Sequence, residues 1–364
     1  MKLLLLTTDI NIVGGIETVI NSLTNYFAEE YEYDIEIMSL YGEKNDKDNT
    51  HFHFNNKVKI TFANLNNIQG KNRLDGLIKD LKLKTYIKNI IQNKDVDIIM
   101  TFHYPISIAT ILNKKNINCK IVVTEHNDYY HGIGRVDLLK RKIVYKGADK
   151  VIVLTENNKQ IYKSFLKNVE VINNPRTFKT NMISTQSQKR MIAAGRLEFE
   201  KGFDQLIEIF NDEFIKTSNW KLDIYGDGTQ KENLEKKIVQ YSLQDKIRLL
   251  PFTKNIKEEF LSSSIFLLPS RTEAFSMVLL EAMECGLACI SFDLSGPSEI
   301  IHNGQDGFIV EKNNINEFRE KLKILMDSQQ IRALSGNNAK KNVKRFDIKN
   351  ISNKWKTLFE EVLK

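Results

Sequence analysis

The chain has 364 residues, 41% hydrophobic and 27% charged, with a formal net charge of +7. That balance excludes a disordered or fibrous chain, and the length suits two globular domains better than one. The charge points to an anionic partner: a phosphorylated substrate, anionic lipid or nucleic acid. A solvated, Lys- and Asn-rich surface is the plain alternative.

The apolar start MKLLLL ends at Thr7, Thr8 and Asp9, too short for a signal peptide, and reads as a first buried strand over 3–7. A loop over 9–15 closes on Gly14 and Gly15, and a helix follows over 17–29. Two glycines let backbone approach a ligand, and helix-start N–H groups can meet an anion. The loop lacks the GxGxxG spacing of a dinucleotide fingerprint, so a simple tight turn is the competing reading. Residues 33–40 read as a second strand, and 98–101, 121–124 and 151–154 as further short buried strands. Strands alternating with helical stretches predict parallel sheets. His126 follows the strand at 121–124, where an imidazole can bond a sugar hydroxyl or stabilise charge. A purely structural histidine is the alternative.

Two basic amphipathic stretches lie in this half. Residues 71–94, bounded by Lys71 and Lys94, carry seven basic and two acidic side chains. Residues 133–150, bounded by Ile133 and Lys150, carry six and two. Such stretches suit an anionic membrane surface or a lipid diphosphate; a solvated helix face is the alternative. The first offers only Tyr86 for base stacking, which argues against nucleic acid.

Residues 173–188, NNPRTFKTNMISTQSQ, break the rhythm and read as a linker. The expected organisation is a first domain over 1–172, the linker, a second domain over 189–345, and a final helix over 346–364 returning toward the first domain. In the second half, 191–194, 221–225, 247–250, 265–268 and 288–292 read as strands. Arg196 and Lys201 follow the first of these, offering a guanidinium fork and a point charge for phosphate oxygens. Gly226 and Gly228 mark a tight turn after the second, with Asp227 expected to cap the next helix. The segment SRTEAFSMVLLEAMECG, 270–286, places Glu273 in a loop after a buried strand and Glu281 on an apolar helix starting near Ser276. A carboxylate in such a helix needs a partner. Cys119, Cys285 and Cys289 suggest neither a disulfide framework nor a zinc site, and a reducing cytoplasmic location is expected. No metal-ligand cluster is expected.

Taken together, GGIE (14–17), TEHN (124–127), NNP (173–175), AGRLEFEKGFD (194–204), YGDG (225–228), the 270–286 segment and SGPSEII (295–301) resemble family 4 glycosyltransferases, retaining enzymes of the GT-B fold. The resemblance runs nearly end to end and is closest to enzymes of bacterial surface polysaccharide synthesis. It implies an α/β architecture of two Rossmann-like, doubly wound parallel-sheet domains facing across a cleft. It implies a nucleotide-sugar donor, UDP-linked, as substrate rather than cofactor, with no metal. The acceptor would be a glycan or lipid-linked glycan, and the enzyme would sit at the inner face of the cytoplasmic membrane. By resemblance, Glu273 holds donor-sugar hydroxyls with backbone N–H groups of Ala274, Phe275, Ser276 and Met277. Glu281 holds the ribose, Arg196 and Lys201 the diphosphate, and Phe252 and Thr253 flank the base. Gly14, Gly15 and Gly226 bring backbone near the donor, and His126 touches its sugar. Ser276 departs from the family, which usually has glycine or proline there. A sugar-nucleotide epimerase of the same fold would share the pocket, and a basic membrane- or nucleic-acid-binding module is the reading from a different class.

Overall fold

The computed structural model describes residues 1–42, 52–65, 73–92, 94–129 and 134–364; of 73–79 and 116 it describes the backbone alone. They form two compact units, Met1–Pro175 with Ile348–Lys364, and Arg176–Asp347.

The first unit contains a seven-stranded sheet: β1 Lys2–Thr7, β2 Asp34–Ser39, β3 Val58–Phe62, β4 Ile98–Thr101, β5 Lys120–Glu125, β6 Lys150–Val153 and β7 Val169–Val171, in the order β3-β2-β1-β4-β5-β6-β7. Every neighbouring pair is parallel. Leu3 to Leu6 of β1 and all of β4 are buried. Helices covering both faces of a sheet demand such unbroken apolar runs. Strand order reverses between β1 and β4, and crevices for ligands open at the carboxyl ends of strands at such a point. The helix Gly15–Glu30 buries Val19, Ile20, Leu23 and Phe27. The last helix, Ile348–Leu363, packs on it, with Phe359 edge-on to Phe27 at 5.8 Å and Tyr31 donating to Asn353 at 2.7 Å.

The second unit repeats the plan. Strands β8 Arg190–Ala194, β9 Lys221–Tyr225, β10 Ile247–Leu250, β11 Ile265–Leu268, β12 Ala288–Phe292 and β13 Gly307–Val310 form a sheet in the order β10-β9-β8-β11-β12-β13. All pairs are parallel. Here the order reverses between β8 and β11, the strands that precede Arg196 and Glu273.

Several details differ from the sequence reading. Strands β3, β7 and β13 were not expected, and all three are sheet edges. Residues 176–188, expected as linker, lie inside the second unit. There Thr177, Thr180, Ser184 and Gln186 bond to Glu281, Glu284, Ser263 and Gly286. Asp227 caps no helix. Its carboxylate accepts the Gly228 N–H at 2.9 Å, and the helix begins later, at Lys231–Gln240. Lys71 and Ile133, the starts of the two basic stretches, lie outside the described residues. Among the described residues no helix is long and apolar enough to cross a membrane.

Candidate active site

In the second unit, two turns meet at the carboxyl edge of β8 and β11. After β8 the chain exposes Arg196 and makes a 3-10 turn, Phe199–Lys201, ended by Gly202 at φ 66°. A Cβ at Gly202 would lie 2.1 Å from the Pro269 carbonyl oxygen, so only glycine fits where the turn abuts the end of β11. After β11, Arg271 ties the two turns together. Its guanidinium forks onto both Asp204 carboxylate oxygens at 2.7 Å and also donates to the Phe199 carbonyl at 2.8 Å. Burial pushes the Asp204 carboxyl up, but the bonds and charge of Arg271 outweigh this and hold it below the usual range.

This clamp brings Lys201 and Glu273 together across 72 positions of chain, with Nζ 2.8 Å from Oε2. Ser270 donates to the same oxygen at 3.2 Å. The Glu273 side chain is 10% exposed and that of Lys201 23%. The Arg196 guanidinium, by contrast, has no hydrogen bond or ion pair among the described residues; bonds from Thr229, with the Arg196 charge adding to them, hold the Glu198 carboxyl below the usual range.

The loop then runs into the helix Met277–Glu284. Ala274 and Phe275 are buried, Phe275 edge-on to Phe346 at 5.4 Å, and the Gly296 N–H of the SGPSEII segment holds the Glu273 carbonyl at 3.2 Å. The Ser276 hydroxyl accepts the Leu279 N–H at 3.4 Å, so the serine caps its own helix. Met277 opens the helix. Gly226, at the end of β9, packs against β8's turn: a Cβ there would lie 1.9 Å from the Gly195 carbonyl oxygen. Gly226→Ala is therefore expected to cost on the order of 2 kcal/mol, read as a lower urea midpoint with an unchanged slope. Phe252 is 57% exposed after β10, and Thr253 accepts the Asn255 N–H at 3.1 Å.

One turn into the helix, Glu281 accepts the Thr177 hydroxyl at 2.7 Å. Burial pushes its carboxyl up to about 7, against the opposing pull of that bond. In the unfolded chain the group ionises at its ordinary, lower value. Between the ordinary range and about 7 the folded chain therefore holds a proton that the unfolded chain has lost. Stability is greatest below that window and falls as pH rises through it. Replacing Glu281 by Gln should flatten this dependence, which thermal unfolding of both proteins between about pH 5 and 8 will read. Glu284, on the same helix, is buried and pairs with Arg176, which also pairs with Asp347; the Thr180 N–H donates to its other oxygen at 2.8 Å.

In the first unit, the switch point gathers a different set. Gly14 precedes the helix Gly15–Glu30, whose first residue, Gly15, is exposed. His103, just beyond β4, sets Nε2 at 3.3 Å and 3.1 Å from the hydroxyls of Thr7 and Thr8. His126, just beyond β5, stacks on Phe102 at 5.5 Å. Its Nε2 is enclosed with no hydrogen-bond partner among the described residues. Burial pushes His103 down to about 4; burial, with the nearby His103 second, pushes His126 down to about 3. Both rings are neutral at physiological pH, able to donate and accept hydrogen bonds to hydroxyls but not to supply charge.

Sequence reading named Arg196, Lys201, Glu273, Glu281 and His126 as candidates; it did not name Asp204, Arg271, Thr177 or His103, which the structure places among or beside them. The first two stand inside the quoted segments AGRLEFEKGFD and SRTEAFSMVLLEAMECG. An acid and an arginine in two turns expected to share one crevice were the available signal.

The model for "Glycosyltransferase Family 4" matches residues 13–176 and that for "Glycosyl transferases group 1" matches 177–342, nearly the whole chain between them. The chain belongs to glycosyltransferase family 4. This family 4 glycosyltransferase is 29% identical to the amylovoran biosynthesis glycosyltransferase AmsD of Erwinia amylovora, over 97% of its own length and 98% of AmsD. It is 25% identical, over 96% of each chain, to the alpha-1,4-N-acetyl-D-galactosaminyltransferase of Campylobacter jejuni, whose name gives a PP-undecaprenol-linked glycan as acceptor. A solved structure of a TarM variant from S. aureus, in complex with fondaparinux, alpha-GlcNAc-glycerol and UDP, superposes with a TM-score of 0.80 at 15% identity. The match covers 98% of this chain and 99% of that one. The fold is GT-B.

Proposed function

We propose that this glycosyltransferase moves a hexose or N-acetylhexosamine from a UDP-sugar to a glycan or lipid-linked glycan, with retention, at the cytoplasmic face of a membrane. The observation that carries the reading is the pairing of Lys201 with Glu273 beside an exposed Arg196, at the switch point of the second sheet. Arg196 and Lys201 bind the diphosphate, assisted by backbone N–H groups at the start of the helix Met277–Glu284. Glu273 releases Lys201 to the phosphate and takes donor-sugar hydroxyls. Glu281 takes the ribose hydroxyls, and Phe252 and Thr253 flank the base. Gly226 gives the turn beside them its close packing. Gly14, Gly15 and His126 of the first unit are the further candidates for donor contact. Likeness to AmsD, to the C. jejuni transferase and to a UDP-bound TarM supports the choice of UDP and of a glycan or lipid-linked acceptor.

The chemistry follows from charge. The anomeric carbon–oxygen bond breaks and leaves its electron pair on UDP. The acceptor oxygen bonds to the same face of the anomeric carbon, and its proton passes to a phosphate oxygen. Negative charge on the diphosphate grows toward the transition state, so Arg196 and Lys201 bind that state more tightly than the donor.

Thermal shift and slow donor hydrolysis with a panel of UDP- and GDP-sugars test the reading. At least one UDP-sugar should raise the melting temperature and release UDP. A panel in which no sugar nucleotide shifts or turns over would contradict it, and conversion of a donor to its epimer would favour an epimerase.

A further inference from the structure

The one fully buried residue of the helix Arg135–Val144 is a charge, Arg141, 1% exposed, with Leu138 and Val144 partly buried beside it against the core. The guanidinium donates to the Tyr129 carbonyl at 3.1 Å, lies 3.5 Å from a Glu125 carboxylate oxygen, and sits 4.9 Å from the centre of the Tyr104 ring. Asp137, the one acid of the helix, is likewise held, its backbone carbonyl and carboxylate accepting the Tyr104 hydroxyl at 3.0 Å and 3.3 Å. Removing a partner from a buried charge is strongly unfavourable, so the helix cannot roll to hide its other side.

That other side carries Val136, Leu139 and Ile143, exposed by 69%, 60% and 62%. Positions three, four and seven apart lie on one helix face and form a continuous apolar stripe. Alongside it stand the exposed Arg135 and Lys142, and the following turn, Tyr145–Gly147, adds the exposed Lys146. Three large aliphatics flanked by three cations, with no acid turned outward, is the pattern of a helix lying in a lipid interface.

We infer that this face, Val136, Leu139 and Ile143 with Arg135, Lys142 and Lys146, docks the enzyme on an anionic bilayer. The inference rests on the proposal above that the enzyme works at a membrane, and it selects one of the two basic stretches of the sequence. On the other, the helix Arg73–Ile91, the described outward side chains include Asp80, Leu81, Lys82 and Thr85, a mixed surface. Of the six basic residues in 133–150, Arg141 is buried and Lys140 and Lys150 pair with Asp80 and Glu170; the remaining three are those of the docking face. A second copy of the chain is a poor occupant, because a self-complementary contact would oppose like charges.

The test is co-sedimentation of the full chain with phosphatidylcholine vesicles, with and without phosphatidylglycerol. Binding should require phosphatidylglycerol and weaken with salt. Leu139→Glu with Ile143→Glu should lower partitioning at least ~10-fold. Replacing Arg135, Lys142 and Lys146 by Gln should lower it on the order of 100-fold, since each cation near an anionic leaflet contributes about 5-fold. Leu81→Glu with Lys82→Glu should bind like the parent. Equal binding to both vesicles, no binding, or parent-like binding by the Leu139/Ile143 variant would overturn the inference. So would a lipid-free dimer abolished by that variant, which would make a second copy the occupant. Donor hydrolysis without vesicles reads the transferase proposal separately: it should be unchanged in every variant, and its absence from the parent would sink that proposal while leaving the vesicle result intact.

Discussion

Glu273→Ala is expected to lower turnover by on the order of 10²-fold or more, while UDP affinity stays within a few-fold of the parent. The carboxylate is proposed to contact the sugar, whose bonding changes at the transition state, and not the nucleotide. The variant also frees Lys201, whose ammonium lies 2.8 Å from Glu273 and becomes available to the diphosphate. The expected signature is thus a fall in kcat with KM for donor unchanged or lower. Single-turnover rates with the donor found by hydrolysis screening will check it, with circular dichroism showing that the variant folds. Near-parent turnover would remove Glu273 from the site.

Arg196→Ala should lower kcat/KM for donor on the order of 10²-fold and also weaken UDP. Its guanidinium has no hydrogen bond or ion pair among the described residues, so truncation disturbs no internal bond. The loss can then be assigned to the ligand. Arg196→Lys keeps the charge but loses the planar fork, and should recover only part of the activity. UDP titration calorimetry of the three proteins, beside initial rates, separates binding from catalysis. Equal UDP affinity and equal rates in all three would place the diphosphate elsewhere.

The interior strands were readable because two-sided burial leaves no room for polar residues. Leu3 to Leu6, Ile98 to Met100 and Ile265 to Leu268 carry an unbroken apolar signal. Two of the unexpected edge strands lack it. In β7, Val-Glu-Val, Glu170 turns to Lys150, and β3 reads Val-Lys-Ile-Thr-Phe. At the site, residues at the ends of readable strands could be named, because sheet topology carries strand ends to one edge. Pairing could not. Lys201 meets Glu273, Arg271 meets Asp204 and Thr177 meets Glu281 across long separations that only the folded chain closes. The rule that exposed Glu281 as needing a partner applied equally to Glu284, three positions on, whose partner Arg176 lay in a stretch read as linker. Charge counts misled for a related reason. Arg141 adds to a basic run in the sequence, yet in the fold it is a core residue ringed by tyrosines.

The most direct test of the central claim is a crystal structure of the chain with UDP bound. The account predicts the diphosphate within hydrogen-bonding distance of Arg196 and Lys201, at the carboxyl edge of β8 and β11, with Lys201 drawn away from Glu273 and the ribose against Glu281. Density for UDP away from those side chains, or an intact Lys201–Glu273 pair beside a nucleotide held by other residues, would contradict it.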